Sequence, residues 1–316
     1  MRYFLIHFLL ILFISCTNKK KSIDVSNVSV NVQIDRFDVD FYKATATTLS
    51  SIKRKYPMFF PHQIDSVWLN KINNKDEQTL FTETQKVYEN IGFLKDDLEY
   101  LFKHVKHYNP DFKSPKVTTM LTNIDYDNRV VYNGDHLLIS LDAYLGKDHE
   151  FYNDYPIYIK QNNTKSHIIV DAANAIVDKQ IKPNRNRKFL DKMIAYGKKM
   201  YLLDTYLPSV HNHLKIGFTK EKYDWAESHE EDVWRYFIDK DLLYSTDAKL
   251  NQRFLNIAPF SKFYLSMDNE SPGRIGVYIG WQIVKAFMGN NDVSLLALMQ
   301  MSEEEIFQKS KYKPKR

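Results

Sequence analysis

The chain has 316 residues and a formal net charge of +5, from 44 Lys and Arg against 39 Asp and Glu. A charge this small for the length does not indicate a nucleic-acid partner. The composition, with 44% hydrophobic and 14% aromatic residues, is typical of a folded globular protein and excludes a largely disordered one. The sequence has no internal repeat and no glycine-rich phosphate-binding loop.

The first fifteen residues have the layout of a secretory signal peptide. Arg2 supplies a positive charge, and residues 3–14 form an apolar run that only His7 interrupts. Ser15 provides the small residue that is typical of a cleavage site. The run is shorter than the roughly 20 apolar residues that a transmembrane helix needs. We therefore predict that residues 1–15 are a signal peptide.

The only cysteine of the chain, Cys16, follows this segment directly. Its position resembles that of the acylated cysteine of bacterial lipoproteins, in which the chain is cut before the modified thiol. Each buried methylene of an acyl chain such as palmitate contributes about 0.8 kcal/mol to membrane binding. We expect Cys16 to be lipidated and to hold the chain on the bilayer. The alternatives are an uncleaved N-terminal anchor and an ordinary secretion signal with an incidental cysteine.

The segment after Cys16 is polar and lysine-rich, and residues 16–27 are predicted to be a lipidated, flexible tether. Hydrophobic residues at every second position from Val28 to Ile34 then predict a half-buried strand. Apolar stripes at helical spacing follow. They predict four helices over about 45–56, 61–72, 76–90 and 94–107, the third of them capped by Asp76.

A block of strands and a second block of helices make up the rest of the chain. Strands are predicted at 117–121, 130–132 and 137–141. Helices are predicted over about 164–180, 187–207, 219–239, 247–256, 273–289 and 291–300, with a short one from Ser302. Strands and helices that occur in separate blocks favour an α+β fold. We predict a mostly helical single domain over residues 28–308 with a small central sheet, followed by a frayed basic tail at 309–316.

The stretch 271–284 is the most distinctive internal segment. Ser271 is expected to cap a helix that begins at Pro272, because serine is a preferred N-cap and proline suits the first turn. Gly276 and Gly280 lie one turn apart and leave room for a neighbouring backbone. One interpretation is a buried, closely packed helix. The other is a ligand or partner surface formed by Arg274 and Trp281.

No catalytic motif is complete, so the sequence predicts no catalytic residue, no bound metal and no cofactor. The zinc-hydrolase spacing His-Glu-x-x-His begins at His149 and at His229, but Asn153 and Val233 stand where the second histidine is required. The Gly-x-Ser-x-Gly motif of serine hydrolases is also missing. An alternative function, a metal-dependent hydrolase with an unusual site, would use ligands drawn from His229, Glu230, His211, His213 and Asp171.

Several short stretches, in order along nearly the whole chain, resemble the GldB-type gliding motility lipoproteins of the Bacteroidetes. The stretches are Asp35-Arg36-Phe37, Lys55-Tyr56-Pro57, Phe60-Pro61 and residues 141–146, 198–204, 258–264 and 271–284. The resemblance implies a cell-envelope lipoprotein that is needed for gliding and is linked to type IX secretion. The implied partners are other proteins of that machinery, and the implied mode of action is protein binding. A glycan-binding module is a further alternative, although no motif indicates it.

The family is also remotely similar to zincin-like metallopeptidases, in which the helix after a small sheet carries the metal ligands. On that similarity Asp171 and Ala175 occupy the histidine positions, and Ala172 the glutamate position. The similarity therefore implies a pseudo-peptidase with a zincin-like fold, and leaves a divergent zincin-like peptidase as the alternative.

Thr17, Asn18 and three lysines follow Cys16 without an acidic cluster. We therefore expect the anchored protein to lie on the periplasmic face of the outer membrane.

Overall fold

The computed structural model describes residues 23–181, 186–266 and 268–316. The predicted signal peptide, Cys16 and the first part of the tether lie outside the described residues. The described part has an α+β fold that is mostly helical and contains one small sheet, as predicted. Its buried apolar side chains form one continuous cluster.

Fifteen α-helices are present in the described residues, and their bounds are as follows. They are α1 (Phe37–Tyr42), α2 (Leu49–Lys55), α3 (Asp65–Ile72), α4 (Lys75–Tyr88), α5 (Gly92–Tyr108), α6 (Ile157–Lys160), α7 (Lys165–Gln180), α8 (Phe189–Tyr206), α9 (Asn212–Ile216), α10 (Lys220–Ser228), α11 (Glu230–Asp239), α12 (Lys249–Phe254), α13 (Ile275–Asn290), α14 (Leu295–Gln300) and α15 (Glu303–Ser310). The sequence did not predict α1, α6 or α9. The predicted cap Asp76 is wrong, because Asn74 accepts the backbone N–H groups at the start of α4.

The sheet contains four described strands in the order β1 (Ile34–Arg36), β2 (Lys116–Met120), β4 (His136–Ser140) and β3 (Val130–Tyr132). The pairs β1–β2 and β2–β4 are parallel, with Ile34 opposite Val117 and Val117 opposite Leu137. The pair β3–β4 is antiparallel. Strand β3 is therefore an edge of the sheet, and the chain continues from β4 through α6 to α7, which packs against β3.

The strand predicted over Val28 to Ile34 is wrong for all but its last residue. In the parallel register of β1 and β2, the partner of Val32 would be Pro115, which has no N–H to donate to the ladder. The alternating pattern still reports burial, because Val32 is buried in the core without belonging to the sheet.

The long helices α8 and α13 form the most extensive contact between described elements and lie at the centre of the core. Glycines allow their backbones to approach closely. A Cβ atom at Gly280 would lie 1.8 Å from the carbonyl oxygen of Met193, and one at Gly197 would lie 2.2 Å from that of Gly280. This agrees with the interpretation of 271–284 as a closely packed helix.

The helix predicted over 219–239 is interrupted at His229, which separates α10 from α11. The hydroxyl of Ser228 donates to backbone carbonyls one turn earlier, and the ring Nδ1 of His229 bonds the carbonyl oxygen of Trp225. Side chains that bond the backbone in this way compete with helix continuation.

The predicted frayed tail 309–316 is also wrong. Helix α15 ends at Ser310, and Tyr312 packs edge-on against Trp234.

Candidate functional site

A cleft of about 870 Å³ opens beside the edge strand β3. Five regions line it: β3 with the loop before it, residues 156–162 around α6, helix α7, the chain from Lys215 to Lys222, and the loop between α12 and α13. A cavity of this size lies within the range of small-molecule and peptide sites. The lining combines charged side chains with apolar ones, and Ile157 and Ile257 are 77% and 52% exposed there.

Helix α7 presents a polar face to this cleft. His167, Asp171, Asn174 and Asp178 all line it. Their spacing of four, three and four residues places them on one side of the helix, while Ile168, Val170 and Ala173 are buried in the core. The sequence therefore turns the apolar side of α7 toward the protein and leaves the polar side facing the cleft.

Asp171 is the centre of a polar network on this face. Its Oδ2 atom lies 3.1 Å from Nε of Arg129 and accepts a hydrogen bond of 2.7 Å from the hydroxyl of Tyr144. The guanidinium of Arg129 also lies over the ring of Tyr126, 4.5 Å from its centroid, and donates to Asn163. Arg129 and Asp171 are thus a largely buried ion pair that joins the residue before β3 to α7.

His167 stands one turn before Asp171 and is only 4% exposed. Its Nε2 atom is 3.6 Å from Oδ1 of Asp171, too far for a hydrogen bond, and its buried Nδ1 atom has no partner within the described part of the chain. Burial lowers the pKa of His167 to about 4, and the charges of Arg129 and Arg274 act in the same direction. The imidazole is therefore neutral at pH 7.

Acidification is expected to destabilise the protein through His167. The folded-state pKa lies below the ordinary value of 6.5, so the unfolded chain binds the proton more tightly, and stability is lost as the pH falls from about 6.5 to about 4. The gap corresponds to about 3 kcal/mol. The measurement is the free energy of unfolding of wild type and of His167→Gln between pH 7 and pH 4.

Asp142 acts in the opposite direction over nearly the same range. Burial raises the pKa of Asp142 to about 6, so its contribution to stability is present at low pH and lost as the pH rises. Asp142 is present in both proteins, and its effect cancels in their difference. The advantage of wild type over His167→Gln should shrink by about 3 kcal/mol between pH 7 and pH 4. If the stability difference between wild type and His167→Gln does not depend on pH, the low pKa of His167 is contradicted.

Arg274 enters the cleft from the residue before α13. Its backbone is left-handed, with φ +59°, and its Nη1 donates to the carbonyl oxygen of Ile216 at 3.3 Å. Burial lowers the pKa of its guanidinium. The preceding Gly273 packs so closely that a Cβ atom there would lie 2.1 Å from the carbonyl oxygen of Ala258. This packing fixes the position of Arg274.

The predicted start of this helix is wrong. Helix α13 begins at Ile275 rather than Pro272, and Ser271 does not cap it. The hydroxyl of Ser271 donates to the carbonyl oxygen of Asp268 at 2.6 Å, whereas the hydroxyl of Ser261 accepts the N–H of Ile275 at 3.2 Å. The capping oxygen therefore comes from a residue distant in sequence.

Trp281, which was predicted to share a surface with Arg274, is fully buried. Its Nε1 donates to Oδ2 of Asp204 at 2.8 Å, and the ammonium of Lys285 lies 3.7 Å from its ring centroid. Of the two predicted residues, Arg274 alone lines the cleft. Trp281 belongs to the core, and the prediction of a surface role for it is wrong.

The candidate metal ligands are not brought together. Asp171 lines the cleft, but Glu230 accepts hydrogen bonds from the hydroxyls of Tyr278 and Tyr312, and His229 stacks on Trp225. His211 and His213 stack on each other. Among residues 23–181, 186–266 and 268–316, no three His, Cys, Asp or Glu side chains are grouped so that they could hold a metal ion.

Sequence reasoning did not single out His167, Arg129 or Tyr144. The spacing of four residues between His167 and Asp171 was the available signal for the histidine. Within the described helices, none has the length and hydrophobicity to cross a membrane.

Comparison with known proteins gives one result. The family model described as gliding motility protein GldB matches residues 18–314. No curated protein and no solved structure matches the chain. The match covers nearly the whole length and agrees with the ordered motifs along the chain. The chain therefore belongs to the GldB family of gliding motility proteins.

Proposed function

We propose that the chain is a lipid-anchored component or assembly factor of the gliding motility and type IX secretion machinery that acts by binding another protein. Its family supports the link to gliding. The observation that carries the binding role is the cleft beside β3, where Ile157 and Ile257 expose apolar surface next to buried charged groups. Protein-binding sites commonly combine exposed apolar anchors with a few fixed polar groups.

The anchor is part of the same proposal. Acylation of Cys16, next to the apolar run at 3–14, would attach the folded domain to the bilayer through the lysine-rich tether. We place the protein in the cell envelope, on the periplasmic side of the outer membrane. In this arrangement the lipid fixes the location, and the cleft selects the protein partner.

The test is complementation of a strain that lacks the gene, with colony spreading and type IX secretion as readouts. Ala175→Trp places a large side chain in the cleft, since Ala175 lies on its wall. Ala297→Trp is the matched control, because Ala297 is an exposed helical residue of α14 outside the cleft. Cys16→Ala tests the anchor by membrane fractionation after a high-salt wash.

Wild type and Ala297→Trp are expected to restore spreading, and Ala175→Trp is expected to fail although the protein accumulates normally. Cys16→Ala should fold but appear in the soluble fraction. Normal spreading with Ala175→Trp would rule out a binding role for the cleft. Complete retention of Cys16→Ala in washed membranes would rule out anchoring by the lipid.

A further inference from the structure

We propose that Arg274 is the recognition point for the carboxylate of a single Asp or Glu residue in a peptide segment of the partner. The inference rests on the proposed protein-binding function and names the chemistry that the cleft selects. The starting observation is that the half-buried Arg274 lines the cleft and forms no ion pair with a carboxylate of the described residues. A guanidinium has five N–H donors, and one hydrogen bond to the carbonyl oxygen of Ile216 leaves most of them unused.

The other cationic side chains on the cleft wall already have partners. Arg129 pairs with Asp171, and Lys215 donates to Asp204 at 2.9 Å. Lys222 donates to the backbone carbonyls of residues 269, 270 and 271 at 2.7–2.9 Å. Among the described cations of this cleft, Arg274 is therefore the one that has neither a carboxylate partner nor acceptors for all its donors.

A second polar group without a partner belongs to the wall of the same cleft. The Nδ1 atom of His167 is buried without a partner in the described residues, and His167 lines the cleft. His167 and Arg274 line the same cleft, and the positive charge of Arg274 adds to the effect of burial in lowering the pKa of His167. A neutral imidazole can donate one hydrogen bond to an oxygen held by the guanidinium. Buried polar groups left unpaired in this way are uncommon in proteins.

The surroundings favour a carboxylate over a phosphate. Asp127, Asp171 and Asp178 also line the cleft, and their charges would repel a dianionic phosphate more strongly than a single carboxylate. A carboxylate can accept two parallel hydrogen bonds from one guanidinium. Ile157 and Ile257 offer exposed apolar surface for the neighbouring side chains of a peptide. The expected ligand is thus an Asp or Glu residue flanked by apolar residues.

The experiment uses amidated random hexapeptide libraries that differ at one central position. One library has Glu there, one has Gln and one has phosphoserine. Each is passed over immobilised full-length protein in detergent, and the retained peptide is quantified. We expect retention of the Glu library to exceed that of the Gln library about tenfold, the effect of one hydrogen bond to a charged group. Arg274→Gln should abolish the difference.

Two further variants keep the test decisive. Arg235→Gln removes a surface arginine of α11 that lies outside the cleft, and it should leave the Glu preference unchanged. Arg274→Lys keeps the charge but loses the bidentate fork, so an intermediate preference is expected. Thermal unfolding tests whether each variant is folded. If Arg274→Gln is unfolded, the Glu preference must be reduced in folded Arg274→Lys, and an undiminished preference in that variant would overturn the inference.

Equal retention of the Glu and Gln libraries, or an undiminished Glu preference in folded Arg274→Gln, would overturn the inference. Stronger retention of the phosphoserine library would replace the carboxylate by a phosphate. Failure of the inference is distinguishable from failure of the proposed function. If Ala175→Trp abolishes spreading while Arg274→Gln keeps the Glu preference, the inference alone is wrong; if Ala175→Trp restores spreading, the proposed function is wrong.

Discussion

Replacing Gly280 by alanine is expected to lower the free energy of unfolding by about 3 kcal/mol or more. The new Cβ atom would lie 1.8 Å from the carbonyl oxygen of Met193 and 2.4 Å from its carbonyl carbon. These are backbone atoms of α8, so the clash is relieved only if the two central helices move apart. Because α8 and α13 form the main contact of the core, that movement loosens the packing of both.

Gly289 provides the matched control, because it lies in the last turn of the same helix and a Cβ atom there would meet nothing within 4 Å. Gly289→Ala should raise stability by roughly 0.5–1 kcal/mol, the difference in helix propensity between the two residues. The measurement is thermal and urea unfolding of both variants. A Tm for Gly280→Ala within about 2 °C of wild type would contradict the close approach of α8 and α13.

The sequence predicted most of the long elements because their hydrophobic periodicity reports burial directly. Helices α7 and α8 were predicted to within two residues at each end, and the predicted bounds of β3 are the observed ones. The spacing of Gly276 and Gly280 predicted a close backbone approach, and Gly280 provides it. These features depend on residues that are near one another in the chain.

The features that were missed depend on partners distant in sequence. Glu230 lies in a charged run that is typical of a solvated helix face, yet it is buried by the hydroxyls of Tyr278 and Tyr312, 48 and 82 residues away. The first N–H group of α13 donates to the hydroxyl of Ser261. Ser271, which is closer to the helix in sequence, was therefore a misleading signal for the N-cap.

The pairing of charges in the cleft could not be predicted from the sequence for the same reason. Arg274 could be singled out as a candidate from its local sequence. Whether its guanidinium had a carboxylate partner depended on where the fold placed the acidic residues. Asp171 was available in the same cleft, but Arg129 and Tyr144 from another part of the chain already occupy it. Pairing of this kind is set by the tertiary structure and leaves no periodic signal.

Asp171→Ala is expected to destabilise the protein by about 4 kcal/mol, because it leaves the largely buried guanidinium of Arg129 without a counter-ion. The same change removes the acceptor for the buried hydroxyl of Tyr144. The measurement is the free energy of unfolding by urea at pH 7, where His167 is neutral and does not contribute to the difference.

Asp178 is the matched control, since it lines the same cleft two turns further along α7. Its carboxylate pairs with Lys199 at the surface and its side chain is 58% exposed, so Asp178→Ala should cost less than about 1 kcal/mol. A double variant, Arg129→Met with Asp171→Leu, removes both charges together and should recover most of the stability lost in Asp171→Ala.

The stabilities of Asp171→Ala, Asp178→Ala and the double variant together show whether Asp171 has a structural role. If Asp171→Ala is as stable as Asp178→Ala, the carboxylate is not held by Arg129 in solution and is free to contact a ligand or a metal ion. If it is strongly destabilised and the double variant recovers, Asp171 is a structural partner of Arg129 and joins α7 to the residue before β3. The second outcome is the one we expect, and it leaves Arg274 as the arginine on the wall of the cleft that has no carboxylate partner among the described residues.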